Sequence, residues 1–304
     1  MIEQKTNTSK AAFHLAGIVP VAGQKLDFEF DWHDSLMPIA QNYLAVERAV
    51  VECAYAGCET IWVVCHEDMT PLIRHRMGEW IHDPIWYHKA YDSKPKEQQT
   101  PIPIYYVPIH PKDRDRRDCL GWSALYGSLT AFWISKQSSN WVTPDRYYVA
   151  FPYGVYPPEI VRPYRKQISS TKGFFLKYFN NTVQQEQYLG FTFDAEDFVN
   201  CRRHVRKEGT GQWISNGDKI PTETLPVEER WSARHFSLDK VFKSVKIDNT
   251  EFVEVPWYFN IDNWDGYCRF LGSKERYNIK RPYKNIFKYR EWSGTGVETN
   301  EHNE

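Results

Sequence analysis

Apolar runs and amphipathic stretches alternate along the first part of the chain. Residues 15–22 form a short apolar run that ends at Gly23, which predicts a buried strand turning into a loop. Apolar positions at helical spacing follow in residues 42–56, and a second apolar run fills residues 59–65. A strand, a helix and a strand in this order predict a βαβ unit, and therefore a parallel sheet with right-handed crossovers.

The predicted helix over 42–56 is amphipathic. Glu47, Arg48 and Glu52 fall on the face opposite its apolar positions, the arrangement of a helix that rests one face on a sheet. The alternation of elements then continues. Helices are expected near 70–82 and 121–136, strands near 102–109, 146–151, 173–179, 187–193 and 252–262, and polar loops near 202–208 and 216–230.

The composition is that of a globular protein with a large core. Of 304 residues, 41% are hydrophobic, 25% charged and 16% aromatic, and the net charge is −1. Such a balanced charge gives no general attraction to nucleic acid or to a membrane surface. We therefore expect a single α/β domain over residues 12–284, a flexible N-terminal tail over 1–11 and a polar, acidic tail over 285–304.

Two further features of the sequence bear on the compartment. The N-terminal residues lack the apolar segment of a signal peptide, and the sequence has no run of about 18 apolar residues. The cysteines form no CxxC pair, which favours free buried thiols in a reducing compartment over disulfides or zinc. We expect a cytoplasmic protein, or one in the host cytoplasm if the gene is viral. The cysteines are Cys53, Cys58, Cys65, Cys119, Cys201 and Cys268.

The order of residues between the first two predicted strands is distinctive. Gly23 follows the first strand, Ser35-Leu36-Met37-Pro38-Ile39 precedes the helix, Val46-Glu47-Arg48-Ala49-Val50 lies in it, and Ala56-Gly57-Cys58 ends it. In this order and spacing the segment resembles the sugar nucleotidyltransferases, and most of all their cytidylyltransferase branch with a short loop. In that family the loop amides and two cations hold a nucleoside triphosphate.

Three later segments extend the resemblance to about residue 272. Residues 121–131 are similar to the glycine-led helix that approaches the base and sugar, with Gly121 and Ser123 in its first turn. Residues 145–161 resemble the strand that ends in a metal-binding aspartate, and 258–272 the segment with the second such aspartate, here Asp262. The resemblance implies a Rossmann-like, GT-A-like nucleotide-diphospho-sugar transferase domain, with a mainly parallel central sheet and flanking helices.

The chemical residues of that family are changed in this chain. Lys25 stands where the family has a second loop glycine, Asp27 replaces the loop arginine, and Asp34 replaces the lysine before the short strand. The first metal-binding aspartate falls on Pro152, Tyr153 or Gly154. A pair of unit charges at 4 Å is worth about 4 kcal/mol at an effective dielectric near 20, so two reversed charges disfavour a triphosphate in the family's usual pose. Asp27 and Asp34 are either loop surface residues or a new acidic site.

Other residues leave ligand binding open. Arg114, Arg116 and Arg117 precede the predicted glycine-led helix and could replace the lost cations, although the aspartates between them favour a self-paired, solvated loop. Asp262 either holds a metal or bonds to local backbone. The basic run from Arg202 to Lys207 is interpreted as a solvated helix face.

Two classes of function remain. The chain is either a binding or structural module that kept the fold and lost the reaction, which the changed residues favour, or an active nucleotidyltransferase. The transferase would join a nucleoside triphosphate to a sugar or polyol phosphate, with Mg²⁺ as cofactor and release of pyrophosphate. The expected partners are a nucleotide or sugar phosphate, or another protein. The candidate ligand site comprises Gly23, Lys25, Asp27, Asp34, Arg114, Arg116, Arg117, Gly121, Ser123 and Tyr153, with Asp262 as the candidate metal ligand.

Overall fold

A computed structural model describes residues 14–23, 29–30, 32–85, 101–138, 143–170, 172–208, 236–283 and 286–288. Lys25 and Asp27 of the candidate site lie outside these residues, as do the expected tail 1–11, the expected loop 216–230 and most of 285–304. The strands are β1 (Leu15–Pro20), β2 (Pro38–Ala40), β3 (Tyr43–Leu44), β4 (Thr60–Cys65), β5 (Trp80–Ile81), β6 (Ile102–Pro108), β7 (Arg146–Val149), β8 (Gly154–Val155), β9 (Phe174–Lys177), β10 (Phe191–Asp194), β11 (Glu251–Glu254), β12 (Phe259–Asn260) and β13 (Phe287–Lys288). The helices are α1 (Ala45–Ala56), α2 (Thr70–Met77), α3 (Pro111–Arg117), α4 (Leu120–Ser138), α5 (Arg165–Ile168), α6 (Ala195–Glu208), α7 (Leu238–Phe242) and α8 (Trp264–Gly272).

A nine-stranded sheet with the order β11-β9-β10-β7-β1-β4-β6-β5-β13 forms the centre of the described residues. Its four middle strands, β7, β1, β4 and β6, run parallel. β10 joins β7 antiparallel on one side, and β5 joins β6 antiparallel on the other. The predicted α/β class and the parallel centre of the sheet are therefore confirmed. β13, which lies within the expected C-terminal tail, pairs with β5.

The sheet has a hydrophobic layer on each face because side chains along a strand alternate between faces. Ile61 and Val63 of β4 join the layer that includes α1, whereas Trp62 and Val64 join the layer that includes α4. Helices on both faces of parallel strands are the arrangement that the βαβ pattern predicts. The observed β1, α1, β4, β6, α4 and β7 confirm the corresponding predicted elements.

The charged residues of α1 do not form a solvent-exposed face. Glu47, Arg48 and Glu52 are fully buried, and every residue of the helix is inside the protein. Burying charges is tolerated only when they are paired. Arg48 Nη1 donates to Glu52 Oε2 at 2.8 Å, and Glu47 lies 3.2 Å from Arg281 Nη2, which comes from the far end of the chain.

Four element boundaries also differ from expectation. The helix expected over 70–82 ends at Met77, and β5 follows it. The region 202–208, expected as a polar loop and, from Arg202 to Lys207, also interpreted as a helix face, is the C-terminal half of α6. The segment with Arg114, Arg116 and Arg117, expected as a loop, is α3. The strand expected over 252–262 is divided into β11 and β12.

Candidate functional site

The candidate site lies at the carboxyl edge of the parallel strands. Gly23 follows β1, His66 follows β4, and Tyr153 follows β7 after a short turn. Ligands of open α/β sheets bind at this edge. Asp34 and Asp262 lie in the same region. Burial raises the pKa of Tyr153, and the nearby charges of Asp34 and Asp262 raise it further.

Gly23 fits tightly against the start of α4. Its φ is +82°, and a Cβ atom there would lie 2.4 Å from the carbonyl carbon of Cys119. Ser123 of α4 also binds this loop, since its hydroxyl donates a hydrogen bond to the Ala22 carbonyl at 2.6 Å. Glycine is therefore required by the backbone conformation and by the close approach of two segments.

The N-terminus of α4 is satisfied within the protein. The Trp122 amide donates to Cys119 Sγ at 3.4 Å, and the Ser123 amide donates to the Cys119 carbonyl at 3.0 Å. Burial raises the pKa of the Cys119 thiol to about 12, so the thiol stays neutral. Gly121 packs closely against α7, because a Cβ there would lie 2.7 Å from a methyl group of Val241. Amides that bind phosphate at a helix start elsewhere are thus used for capping here.

Tyr153, one of the three residues on which the first metal-binding position was expected to fall, is turned inward. Tyr153 is fully buried, and its hydroxyl donates to the Val21 carbonyl at 2.7 Å. Both carboxylate oxygens of Asp262 accept hydrogen bonds within the protein. Its Oδ2 accepts from the Tyr188 hydroxyl at 3.0 Å, and its Oδ1 accepts from Asn263 Nδ2 at 2.7 Å.

Asp34 begins a 3₁₀ turn over Asp34–Leu36 and is almost completely buried. Its Oδ1 lies 3.0 Å from His33 Nδ1 and accepts from the Ser35 amide at 2.8 Å. Its Oδ2 is buried and has no hydrogen-bond partner among the residues that the structure describes. Burial raises the pKa of Asp34, the His33 contacts and the Ser35 amide lower it, and the charge of Asp262 raises it further. Of the two alternatives for this residue, the loop surface is excluded.

Arg114 and Arg117 of the candidate site lie on α3. Arg117 Nη1 is 3.6 Å from Asp113 Oδ1, and its guanidinium lies 4.9 Å from the centre of the Trp122 ring. Nε and Nη2 of Arg114 are buried and have no hydrogen-bond partner within the described residues. The side chain of Arg116 lies outside the described part of the structure. The ion pair of Asp34 within that part is with His33, and not with Arg114 or Arg117.

The residues at this edge do not fit a magnesium ion held in the family's manner. Within the described ranges, no three His, Cys, Asp or Glu side chains are grouped so that they could hold a metal ion. Mg²⁺ in nucleotide sites takes carboxylate and phosphate oxygens, and none of the three residues expected at the first position, Pro152, Tyr153 and Gly154, is a carboxylate. Asp262, expected at the second, stands alone as a carboxylate and already accepts hydrogen bonds from Tyr188 and Asn263. No reaction step through a metal follows from this arrangement.

A buried polar cluster beneath the edge holds the segment that carries Tyr153. Glu52 Oε1 accepts from the hydroxyls of Tyr148 and Tyr156 at 2.6 and 2.8 Å. Arg48 Nη2 donates to the Phe151 carbonyl at 2.7 Å. This cluster connects α1 to the β7–β8 turn, so α1 has a positioning role that its sequence pattern did not indicate.

Two further residues of the site were missed by sequence analysis. Tyr188 lies between β9 and β10 in a segment without a motif, and only the fold brings it to Asp262. His66 Nε2 lies 3.0 Å from Asp118 Oδ2, which joins the end of β4 to the connection between α3 and α4. A histidine directly after a buried strand was the available signal for this second pair.

Comparisons with known proteins identify the fold. No protein-family model and no curated protein matches the sequence. A candidate glucose-1-phosphate thymidylyltransferase from Bacillus anthracis, crystallised in complex with sucrose, is 10% identical, with a TM-score of 0.51 over 88% of this chain and 98% of that one. A nucleoside-diphosphate-sugar pyrophosphorylase from Vibrio cholerae RC9 is 13% identical, with a TM-score of 0.47 over 84% and 100% of the two chains. A protein from Mycobacterium tuberculosis H37Rv is 13% identical, with a TM-score of 0.46 over 86% and 99%.

The likeness to the Bacillus anthracis structure spans nearly all of both chains, whereas the identity is very low. It therefore concerns the fold and leaves the chemistry to the residues of the site. In the part of the chain that the structure describes, no helix is long and apolar enough to cross a membrane. The predicted architecture is confirmed: the chain has the fold of the sugar nucleotidyltransferases.

Proposed function

We propose that this protein is a binding module built on the sugar nucleotidyltransferase fold, with a carboxyl-edge site that no longer takes a magnesium–triphosphate group. The observation that carries the proposal is the state of the two metal positions. None of the three residues expected at the first, Pro152, Tyr153 and Gly154, is a carboxylate, and Tyr153 bonds to Val21. Asp262, expected at the second, is hydrogen-bonded to Tyr188 and Asn263. Phosphoryl and nucleotidyl transfer depend on cations at these positions to neutralise charge.

The charges and rings near the edge favour a neutral or cationic ligand. Asp34 and Asp262 supply carboxylates, and two tryptophans lie beside them in the sequence with about half of their surface exposed: Trp32 at 55% and Trp264 at 41%. Phe30 packs edge-on against Trp264 at 5.8 Å. Exposed aromatic faces beside carboxylates suit cations and hydroxyl-rich neutral molecules, and they repel polyphosphates.

The competing function is an active transferase in which Arg114 or Arg117 takes over the triphosphate. The buried, unpartnered nitrogens of Arg114 are the observation in its favour. A transferase would still need a carboxylate to hold the metal, and Asp262 is the described residue that could serve after release from Tyr188.

A thermal-shift screen separates the two functions. The full-length protein is titrated with the four nucleoside triphosphates, nucleotide-sugars, neutral sugars including sucrose, and polyamines, each with and without Mg²⁺. Ligand at about 100 times its Kd adds roughly 2.7 kcal/mol of stability. We expect no nucleoside triphosphate to bind in the family's usual, Mg²⁺-dependent pose more tightly than about 1 mM, which is about 4 kcal/mol of binding free energy. Mg²⁺-dependent stabilisation by CTP or UTP that disappears in Asp262→Asn would establish the transferase instead.

A further inference from the structure

Two helices bring four arginines together beside the start of α4. Arg114 and Arg117 are three residues apart on α3, and Arg202 and Arg206 are four apart on α6, so each pair lies on one face of its helix. We call these four residues the arginine cluster. α4 packs between them, because it follows α3 directly and contacts α6.

The two pairs lie within electrostatic range of each other. Burial lowers the pKa of Arg202, the charges of Arg206 and then Arg117 lower it further, and Asp113 raises it. Asp113 is the acidic group that faces Arg117 from α3, at 3.6 Å. Arg202 therefore lies within electrostatic range of the guanidinium groups of Arg206 and Arg117 and of the carboxylate of Asp113.

The cluster has donors that the protein does not satisfy. Nε and Nη2 of Arg114 and Nε of Arg202 are buried, and they have no hydrogen-bond partner among the residues that the structure describes. A buried donor without a partner costs about 1–3 kcal/mol, and more when the group is charged. Like charges in proximity add to this cost. An anion with several oxygen atoms would remove both costs at once.

We propose that the arginine cluster binds the phosphate group of a small molecule. A tetrahedral oxyanion with two negative charges matches the planar forks of several guanidinium groups and accepts paired hydrogen bonds from them. The Trp122 ring lies against Arg117 at 4.9 Å and the Phe198 ring lies 6.0 Å from Arg202, so apolar surface borders the site where the ester portion would lie. Free phosphate and a phosphate monoester share this chemistry.

The test measures anion binding to the full-length protein by isothermal titration calorimetry at constant ionic strength. The probes are inorganic phosphate, glucose 6-phosphate, and a single-stranded oligonucleotide. We expect phosphate to bind more tightly than about 1 mM, glucose 6-phosphate more tightly than phosphate, and each to compete with the other. Equal affinity for phosphate and the ester identifies free phosphate as the ligand. Failure of phosphate and the ester to bind overturns the proposal, and so does an oligonucleotide that binds more tightly than both with a steep salt dependence.

Variants locate the binding in the cluster. Arg202→Gln should weaken phosphate binding by about tenfold or more, the effect of one charge-assisted hydrogen bond of about 1.5–3 kcal/mol. Arg203→Gln is the matched control, since Arg203 is the next residue of α6 and is exposed. Arg202→Lys keeps the positive charge but lacks the planar guanidinium group. It should weaken phosphate binding less than Arg202→Gln does, and it replaces Arg202→Gln as the test if that variant unfolds. Equal Kd values in all three variants overturn the proposal. Asp262→Asn should leave phosphate binding to the arginine cluster unchanged. The phosphate proposal is therefore tested independently of the proposed function.

Discussion

Tyr188 donates a hydrogen bond from its hydroxyl to Oδ2 of Asp262 across 3.0 Å, although 74 residues separate them in the chain. This bond engages one oxygen of the Asp262 carboxylate, and Asn263 engages the other. A double-mutant cycle with Tyr188→Phe and Asp262→Ala, followed by urea unfolding, should give a coupling free energy of about 1 kcal/mol. A coupling indistinguishable from zero would show that the carboxylate is free in solution, and the binding-module proposal would lose its main support.

The Arg48–Glu52 pair should be far more sensitive to substitution than a surface pair of the same spacing. Both side chains are fully buried, so Glu52→Gln leaves an uncompensated guanidinium inside the protein. We expect a loss of about 3–5 kcal/mol in the free energy of unfolding. The control is Arg269→Gln, which breaks the i,i+4 pair with Asp265, whose side chains are 71% and 89% exposed. That variant should lose less than about 1 kcal/mol.

Gly23 should not tolerate a side chain. Gly23→Ala places a Cβ 2.4 Å from the backbone of Cys119 in a left-handed conformation, so a strained backbone and a clash add together. We expect a loss of more than about 1 kcal/mol in the free energy of unfolding, measured by chemical denaturation. Gly272→Ala is the matched variant, because nothing lies within 4 Å of the added Cβ. A smaller loss in Gly23→Ala than in Gly272→Ala would contradict the packing of this loop on α4.

The buried carboxyl of Asp34 should make stability depend on pH. Burial raises its folded-state pKa above the unfolded value of about 3.9, so its contribution to stability is fully present below that value and is lost as pH rises through the folded pKa. His33→Gln/Asp34→Asn should therefore gain stability relative to His33→Gln as pH increases from about 4 to 7. Using His33→Gln as the reference removes the neighbouring imidazole. Melting temperatures across this range test the sign, and the opposite slope would refute it.

Thiol reactivity should report the burial of the cysteines. All six are free; five are buried, and Cys268 on α8 is exposed. Burial raises the pKa of Cys65 and of Cys201 to about 11 each, which also lowers the fraction of reactive thiolate. Ellman's reagent at about pH 8 should modify one thiol quickly and the other five only after unfolding. Cys268→Ser should abolish the fast phase, and a second fast thiol in this variant would show that a buried cysteine is accessible.

The order of elements was predictable from the sequence because it depends on local periodicity. Continuous apolar runs predict the buried strands β1, β4, β6 and β7. Apolar positions at helical spacing predict α1 and α4. Gly23 was identified at its turn by residue type alone. The resemblance to sugar nucleotidyltransferases also rested on such local segments, and the shared fold bears it out.

The chemistry of the site depended on contacts between distant segments, which local periodicity cannot contain. Sequence analysis placed Arg48 and Glu52 on the polar face of a helix. They are buried because Tyr148, Tyr156 and the Phe151 carbonyl, about a hundred residues away, supply the hydrogen bonds that make burial possible. The sequence pattern of a helix is the same whether its charged side chains form hydrogen bonds with water or with another segment of the protein.

The sequence by itself therefore determined the succession of the central strands and helices, whereas the residues that replace the family's cations and first metal ligand remain predictions from the resemblance. The tertiary structure alone decided that Asp34 is buried beside His33, that Tyr188 donates a hydrogen bond to Asp262, and that Arg117 lies within electrostatic range of Arg202. The physical reason is that backbone conformation follows from short-range sterics and periodic burial, whereas the partner of a charge is chosen by the packing of elements far apart in the chain.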